Sequence, residues 1–186
     1  MLGIHVSLHP VLVNEYSEEF ELLVAEIKTG NTNIRIITGY GPQENWEEKE
    51  RMPFFEALEK EIARAEFEGR SLIISMDANS KLGQSIIPGD PHEQSKNGKI
   101  LSEIIKRHAL IVVNGIQGKC TGLITRERRT VQGVEKSVID FVIVSRDLEK
   151  HIEYMHIDDQ RKNVLTKLIK TRKRHTKKVE SEHNLI

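Results

Sequence analysis

The sequence predicts an α+β domain that extends over residues 1–186. Short apolar segments with strand character lead the chain, and segments with helical spacing of apolar residues are confined to its middle. Strands and helices therefore do not alternate regularly, as they would in a doubly wound parallel sheet. No internal repeat or linker divides the 186 residues, a length that suits one domain able to bury its own core.

The first part of the chain is predicted to form three strands rich in Val, Ile and Leu. A turn cluster, Gly-Asn-Thr-Asn at residues 30–33, joins the second strand to the third, so these two should form a β-hairpin. Gly41 and Pro42 end the third strand. The three predicted strands are residues 3–8, 20–28 and 34–40.

Two helices are predicted where apolar residues recur at spacings of three and four. The first runs from residue 45 to about residue 68 and ends at Gly69, and the second begins after Asn97-Gly98, which can cap it. The predicted inner faces are Phe54, Phe55, Leu58, Ile62 and Ala65 in the first helix and Ile100, Leu101, Ile104 and Ile105 in the second.

Four further strands are predicted beyond the first helix. Residues 71–76 form an apolar run typical of a buried strand, and residues 110–114 form another after the second helix. The last two, residues 128–131 and 136–144, flank a Gln-Gly turn at 132–133.

Composition and charge restrict the class of protein. A hydrophobic content of 38% and a charged content of 30% are typical of a soluble globular domain. No apolar run approaches the ~20 residues of a membrane span, and the N-terminus lacks a secretory signal pattern. The single cysteine, Cys120, excludes an internal disulfide. These observations predict a nuclear or cytoplasmic protein that is neither secreted nor bound to a membrane.

The net charge of zero hides a basic block at residues 161–178, in which no Asp or Glu occurs. Such a block is the pattern expected of a segment that binds phosphate backbones, with Arg172, Lys173 and Arg174 as its densest part. A solvated loop explains the same pattern equally well.

Asp77 and Asn79 follow the apolar run at 71–76. Two residues apart on a strand, they share one face and can converge on one point at the strand end. The acid can hold a metal or orient an attacking water, and the amide can hold a substrate oxygen. An Asx turn that leaves the strand is the alternative interpretation.

Asp140 lies inside the apolar run Val-Ile-Asp-Phe-Val-Ile-Val at 138–144, where an unpaired carboxylate would be costly. His183, flanked by Glu182 and an amide, can supply the partner, although alone it would be an ordinary surface histidine. A carboxylate paired in this way is typical of active sites, so the first hypothesis is a hydrolytic, metal-assisted centre.

Four short motifs in this order resemble the endonuclease/exonuclease/phosphatase superfamily. They are Thr-Gly-Tyr-Gly-Pro at 38–42, Met-Asp-Ala-Asn at 76–79, Ser-Val-Ile-Asp-Phe at 137–141 and Ser-Glu-His-Asn at 181–184. Within it, the chain is most similar to the apurinic-type endonuclease domain of non-LTR retrotransposons, through Asn-Gly at 114–115, Thr-Arg at 125–126 and Ser-x-x-Asp at 137–140. The resemblance runs from about residue 3 to the C-terminus.

The resemblance implies a four-layer α/β/β/α sandwich, the DNase I-like fold, with the site at one end of two packed sheets. It implies Mg²⁺-dependent cleavage of a phosphodiester by an activated water, with Mn²⁺ as an alternative ion. Nucleic acid is the implied partner, DNA more than RNA. A small-molecule phosphatase and a lipid phosphodiesterase remain open, because the superfamily includes both.

Roles carry over from the resemblance position by position. Asp77 would orient or deprotonate the attacking water, and Asn79 would hold a phosphate oxygen and that aspartate. Asp140 would fix the imidazole of His183, which would bind the phosphate and stabilise its developing charge. The remaining implied contacts are Tyr40 on the scissile phosphate, Asn114 on the same rim, Thr125 and Arg126 on a substrate-facing loop, and Glu182 near the metal.

Two departures from the family pattern predict a partial domain. Family members begin with a strand bearing an Asn and then a Gln-Glu pair whose Glu is the main metal ligand, whereas this chain enters at the third strand. Glu182 replaces the usual Asp, which displaces a carboxylate by about 1 Å, and such a shift can cost about 10²-fold in rate. We therefore expect weak or no activity, poor Mg²⁺ affinity and open sheet edges that another polypeptide could complete. The alternative function is a non-catalytic remnant that binds nucleic acid or a partner.

Overall fold

A mixed six-stranded sheet forms the centre of the computed structural model, which describes residues 8–16, 21–162, 166–170 and 176–184. The described residues also contain two α-helices, a 3₁₀ helix at Arg146–His151 and three two-stranded sheets. The strands and helices are β1 (Val11–Tyr16), β2 (Glu21–Thr29), β3 (Thr32–Tyr40), α1 (Glu48–Phe67), β4 (Ser71–Asp77), α2 (Lys96–Arg107), β5 (Ile111–Val112), β6 (Cys120–Thr121), β7 (Arg126–Thr130), β8 (Gly133–Ser137), β9 (Asp140–Val144), β10 (Met155–His156), β11 (Thr166–Lys170) and β12 (Thr176–Glu180).

The six strands of the main sheet follow the order β1-β2-β3-β4-β9-β5. The β2–β3 hairpin that the turn cluster predicts is confirmed, with Thr29 opposite Thr32. β3 and β4 are parallel, and α1 makes the crossover between them, as parallel neighbours require. β9 lies antiparallel to β4, so the end of β4 meets the start of β9. This register places the two strand ends that carry Asp77 and Asp140 side by side.

Both helices pack on one face of the sheet and bury the main core there. The predicted inner face of α1 is confirmed, since Phe54, Phe55, Leu58, Ile62 and Ala65 are all buried. In α2 the same holds for Leu101, Ile104 and Ile105, whereas Ile100 is only partly buried.

The predicted start of α2 is corrected by the structure. Ser95 is the N-cap, and its hydroxyl oxygen accepts the backbone N–H of Gly98 at 3.1 Å. Asn97 and Gly98 instead lie within the first turn. A serine is a strong capping residue because its side chain satisfies an N–H that has no partner inside the helix.

The opposite face of the sheet is covered less completely. The β6–β10 pair lies over the β9 end, where Val113, Val144, Met155 and Ile157 form a second cluster. At the other edge the side chains of Val11 and Leu12 on β1 are 63% and 60% exposed. In the described residues a short pair of strands thus covers only part of this face.

One predicted strand is wrong. Residues 136–144 do not form a continuous strand, because β8 ends at Ser137 and β9 begins at Asp140. Between them the backbone N–H of Ile139 donates to the hydroxyl of Thr125, and the carbonyl of Ile139 accepts the N–H of Ala78 at 2.8 Å. Val138 and Ile139 are buried like strand residues, so the apolar run does not reveal the break.

Other differences lie at the two ends of the chain. Predicted strand 3–8 falls almost wholly outside the described residues, and β1 was not predicted. The basic block contributes β11 and β12, an antiparallel pair that the sequence interpretation leaves as a loop. None of the helices in the described part has the length and apolar character needed to cross a bilayer.

Candidate active site

Two carboxylates face each other where β4 and β9 meet. Asp77, the last residue of β4, is directly opposite Asp140, the first residue of β9. Both side chains are partly buried. Like charges directly opposite on neighbouring strands destabilise a sheet, so this pair requires a counter-charge or a proton.

His183 lies between the two acids and supplies that counter-charge when its imidazole is protonated. Its Nδ1 lies 3.0 and 3.1 Å from the two carboxylate oxygens of Asp140, and its Nε2 lies 3.7 Å from Oδ2 of Asp77. The imidazole therefore spans the two acids, and the structure brings together the three residues in which sequence reasoning placed the chemistry. We call this group the Asp77–Asp140–His183 cluster.

The segment that carries His183 is tied to β7 by backbone hydrogen bonds. The N–H of Glu127 donates to the carbonyl of Glu182, and the N–H of Asn184 donates to the carbonyl of Thr125, both at 2.7 Å. Arg161 adds a side-chain contact, with its Nη2 donating to the carbonyl of Ser181 at 2.6 Å. A residue remote in sequence from the acids is thereby fixed against them.

Two buried polar residues position Asp140 through hydrogen bonds to the backbone at and next to it. The hydroxyl of Thr125 accepts the backbone N–H groups of Ile139 and Asp140 at 3.0 and 3.1 Å. The side chain of Asn114 donates to the carbonyl of Asp140 and accepts the N–H of Val142, each at 3.0 Å. Thr125 is 0% exposed and Asn114 is 1% exposed. The side-chain polar atoms of both residues therefore position the backbone around Asp140, and the substrate contacts predicted for them stay a prediction.

The corner after β4 combines both interpretations of the Asp-x-Asn motif. The backbone N–H of Asn79 donates to Oδ1 of Asp77 at 3.0 Å, which is an Asx turn, and Asn79 has a left-handed φ of 44°. Its side-chain amide donates to the carbonyl of Gly41 at 2.9 Å. The Asx turn, which was the alternative interpretation of this motif, is therefore present, and it holds Asp77 and Asn79 close together at the end of β4.

Gly41 allows the end of β3 to approach this corner closely. Its N–H donates to the carbonyl of Asp77 at 2.7 Å, and an added Cβ would lie 2.6 Å from the carbonyl oxygen of Ala78. We expect Gly41→Ala to reduce the free energy of unfolding by about 1–3 kcal/mol, because backbone must shift to relieve the contact. Urea denaturation measures this change.

The matched control is Gly30→Asn in the β2–β3 turn. Gly30 has a φ of 57° with nothing within 4 Å of an added Cβ, and Asn tolerates that conformation. Its stability should stay near that of the unsubstituted chain. A Gly41→Ala variant as stable as this control would contradict the close packing of the two strand ends.

Tyr40 lies beside the cluster in the parallel register, paired with Asp77 at the end of β3. Its side chain is 45% exposed, and its hydroxyl accepts a hydrogen bond from Nε2 of Gln43 at 3.0 Å. The phenol is therefore accessible at the same strand end as the two acids.

Glu182 is not brought into the cluster. Its carboxylate pairs with Arg126, whose Nη2 lies 2.6 Å away, and with Nε of Arg128 at 3.9 Å. The role predicted for Glu182 near a metal stays a prediction. Arg172, Lys173 and Arg174 lie outside the described residues.

The electrostatics of the cluster favour a charged histidine between two acids. The hydrogen bond to Asp140 raises the pKa of His183 above its ordinary value, and it does so against the opposing effect of burial. Burial, followed by the nearby charge of Asp140, raises the pKa of Asp77. The pKa of His183 is thus raised mainly by its hydrogen bond to Asp140, whereas the pKa of Asp77 is raised mainly by burial and is lowered in part by the nearby imidazole.

Asp140→Asn should lower the pKa of His183, because the hydrogen bond to a charged acceptor is lost while burial remains. An NMR titration of the imidazole measures this shift. The same linkage applies to stability. The contribution of the pair is fully present below the unfolded-state pKa of about 6.5 and is lost as pH rises through the raised folded-state pKa. An identical titration of His183 in both proteins would contradict the pairing.

The cluster offers donors to a divalent cation. One ligand atom each from Asp77, Asp140 and His183 lie within 4.8 Å of one another. Mg²⁺ is commonly bound through one or two carboxylates and completed by water and phosphate oxygens. Among the residues that the structure describes, Oδ1 of Asp77 accepts one hydrogen bond, from the N–H of Asn79, so this carboxylate has acceptor capacity left for an ion. The donor set fits Mg²⁺ or Mn²⁺.

Sequence reasoning missed Arg161 and the hydrogen bonds that Thr125 and Asn114 make. Arg161 is the first residue of the basic block, and nothing in its spacing separates it from arginines that contact a partner. Its contact with Ser181 arises only when the C-terminal segment lies along β7. The hydrogen bonds of Asn114 likewise depend on its burial beside β9, which the structure shows and the sequence does not.

Comparisons with known proteins place the fold. No protein-family model and no curated protein matches the chain. Solved structures do, among them the endonuclease domain of TRAS1, a telomere-specific non-LTR retrotransposon, with 19% identity over 95% of this chain and 66% of that chain and a TM-score of 0.56.

Two further solved structures share the fold. Sphingomyelinase C from Streptomyces griseocarneus has 7% identity over 89% of this chain and 56% of that chain, with a TM-score of 0.52. TDP2 from D. rerio, complexed with a single-strand DNA product, has 14% identity over 94% and 64%, with a TM-score of 0.50. The chain thus spans less than two thirds of the length of these structures. The predicted α+β, DNase I-like fold is confirmed.

Proposed function

We propose that this chain is a phosphodiester hydrolase that depends on a divalent metal ion and acts on nucleic acid. The observation that carries the proposal is the Asp77–Asp140–His183 cluster, in which one imidazole spans two carboxylates that face each other across neighbouring strands. If these acids had no functional role, replacing one of them by an uncharged residue would increase the stability of the sheet. Strained charge arrangements of this kind are concentrated at functional sites.

Asp77 acts as the acceptor for the proton of the attacking water. Its carboxylate lies at a strand end, where the side chain is 12% exposed, and an ionised carboxylate in such a place can accept a proton from water. The Asx turn fixes the carboxylate through Oδ1. The water is therefore oriented by a group that is held in place before substrate arrives.

His183 binds a non-bridging phosphate oxygen and stabilises the charge that develops on it. Asp140 accepts from Nδ1, which fixes the ring and leaves Nε2 to donate on the side of Asp77. A donor that is oriented in advance stabilises a transition state because nothing has to reorganise during the reaction. Asn79 has a second amide hydrogen for the same phosphate, since the first is used by Gly41.

Asp77 and Asp140 would hold the metal ion, for which the donor set fits. When bound, Mg²⁺ or Mn²⁺ neutralises negative charge on the phosphate and on the leaving oxygen.

Nucleic acid is the substrate that the charge pattern favours. The fold alone does not choose, because sphingomyelinase C and TDP2 share it. The basic block at residues 161–178 contains nine Lys and Arg and no acid, and Arg126 lies beside the cluster. Cations in this number suit a polyanion, whose binding is driven by phosphate contacts. DNA is proposed ahead of RNA on the description of the TRAS1 and TDP2 structures.

The test is cleavage of an end-labelled DNA duplex with Mg²⁺ present and after its removal by a chelator. We expect cleavage to fall by at least about 10²-fold with the chelator and to return when Mg²⁺ is restored, because the ion supplies several kcal/mol of charge stabilisation. Cleavage that persists in the chelator would contradict a metal-dependent reaction. Binding that weakens with salt but never leads to cleavage would support the non-catalytic alternative.

A further inference from the structure

We infer that a cleft beside the Asp77–Asp140–His183 cluster binds a second phosphate of the substrate, through Lys81 and His92. The inference rests on the proposed function and narrows its substrate class. A phosphate next to the scissile one occurs in a polynucleotide and is absent from a lipid phosphodiester or a simple phosphomonoester. The cleft would therefore select a chain of nucleotides.

The cleft adjoins the cluster, because Asn79, which bonds Asp77, is one of the residues that line it. It has a volume of about 500 Å³ and lies between the segment that follows β4 and the β7–β8 hairpin. Asn79 and Arg126 line it on the side of the cluster, and Lys81 and His92 line it further along. Its volume is within the range of about 300–1,000 Å³ that is typical of ligand sites.

His92 is held in this cleft by a buried acid that the proposed reaction does not use. The side chain of Asp90 is 0% exposed, and its Oδ1 accepts the N–H of His92 at 3.0 Å and lies 2.9 Å from Nδ1 of that ring. Oδ2 of Asp90 accepts the N–H of Gly83 at 3.3 Å. Because Nδ1 faces Asp90, Nε2 is the nitrogen left to meet a ligand. The ring is fixed and still 23% exposed.

Lys81 supplies a cation that has no carboxylate partner among the described residues. Three other cations line the cleft, and each has a carboxylate partner: Arg126 and Arg128 with Glu182, and Lys136 with Glu127. In the part of the chain that the structure describes, Lys81 has no carboxylate within 4.0 Å of its ammonium group. An ammonium group without such a partner is suited to a phosphate oxygen.

The rest of the lining argues against a lipid. Ile139 is the one apolar residue among the residues that line the cleft. Gln43, Ser95 and Ser137 are polar, and the lining also contains the carboxylates of Glu44, which accepts the backbone N–H of Asn97, and Glu135. An acyl chain would displace water from these groups without replacing their hydrogen bonds, which is unfavourable. A sugar-phosphate chain can satisfy them.

The test compares two substrates in variants His92→Ala and Lys81→Ala. One substrate is a short single-stranded oligonucleotide, and the other is bis(p-nitrophenyl) phosphate, which carries a single phosphodiester. We expect the ratio of kcat/KM for the oligonucleotide to that for the ester to fall about tenfold or more in each variant, as loss of a charge-assisted hydrogen bond implies. The loss should appear mainly in KM. Lys60→Ala, which removes an exposed lysine on α1, is the matched control and should leave the ratio unchanged.

A ratio that stays unchanged in both variants would overturn the inference, whether kcat/KM stays the same for both substrates or falls equally for both. A second measurement separates this inference from the proposed function. It is the affinity of the Asp77→Asn protein for a fluorescent oligonucleotide, determined from fluorescence anisotropy. If the unsubstituted chain cleaves neither substrate, the proposed function fails. A His92→Ala substitution that weakens binding at least about tenfold in the Asp77→Asn background would still support the second phosphate site, and unchanged binding would overturn it.

Discussion

Asp77→Asn is expected to slow cleavage of an oligonucleotide by about 10²–10⁴-fold, the range that a positioned general base supplies. The substitution is nearly isosteric. The amide oxygen of Asn can still accept the N–H that Asn79 now donates to Oδ1, so the turn is retained while the base is lost. Single-turnover cleavage with excess protein measures the rate of the chemical step. The Asp77→Asn protein, purified in the same way as the unsubstituted chain, also shows how much cleavage comes from contaminating nucleases.

The same substitution should stabilise the fold at neutral pH. Because the pKa of Asp77 is raised, its ionised form is disfavoured in the folded state, and this cost appears as pH rises from the unfolded-state pKa through the folded-state pKa. Removing the charge opposite Asp140 removes that cost. A loss of activity together with a gain in stability separates a catalytic carboxylate from a structural one.

Asp147→Asn is the matched control for this pair of effects. Asp147 follows β9 and accepts a hydrogen bond from the hydroxyl of Ser71, at the far end of β4 from Asp77. It should leave the cleavage rate unchanged. An Asp77→Asn protein that cleaves as fast as Asp147→Asn would refute the assignment of Asp77 as the base.

His183→Gln is expected to slow cleavage by about 10²–10³-fold, the loss found when one oriented donor to a developing negative charge is removed. It should also reduce stability below pH 6.5, because Asp77 and Asp140 would face each other without the imidazole that spans them. Rate measurements and urea denaturation on one preparation test both effects.

The control for His183→Gln is a second histidine that contacts two carboxylates away from the cluster. His108 lies at the end of α2, with its Nδ1 2.8 Å from Glu66 and its Nε2 3.3 Å from Glu59 on α1. His108→Gln should affect stability and leave the rate unchanged. Equal rates in the two variants would show that His183 has a structural role only.

The sequence predicts the central part of the fold because local patterns determine it. The turn cluster at 30–33 and the apolar runs on either side specify the β2–β3 hairpin, and the helical spacing of Phe54 to Ala65 specifies α1. Register then follows, because a strand with one face buried against helices cannot slip by one residue without exposing its apolar side.

The break between β8 and β9 could not be predicted in the same way. Whether Val138 and Ile139 continue a strand or turn is decided by Thr125, whose hydroxyl accepts the N–H groups of Ile139 and Asp140. That contact depends on β7 lying alongside. A periodic pattern describes which side chains are buried and not which backbone groups they satisfy.

In the candidate active site, too, some features could be predicted from the sequence and others could not. Asp140 stood out because a carboxylate inside an apolar strand needs a partner, and this reasoning led to His183. Asn114 and Arg161 carried no such contradiction in the sequence, so their contacts with the backbone of Asp140 and Ser181 emerged only from the fold. Sequence reasoning thus identified the charged groups and missed the residues that position them.

The most direct test of the cluster is a double-mutant cycle on single-turnover cleavage with Asp140→Asn and His183→Gln. If Asp140 acts through His183, the double variant should be no slower than His183→Gln alone, because residues that act as a unit are strongly non-additive. The Asp77→Asn protein should cleave no faster than the His183→Gln protein. Independent losses that multiply in the double variant would contradict a single centre built from these three residues.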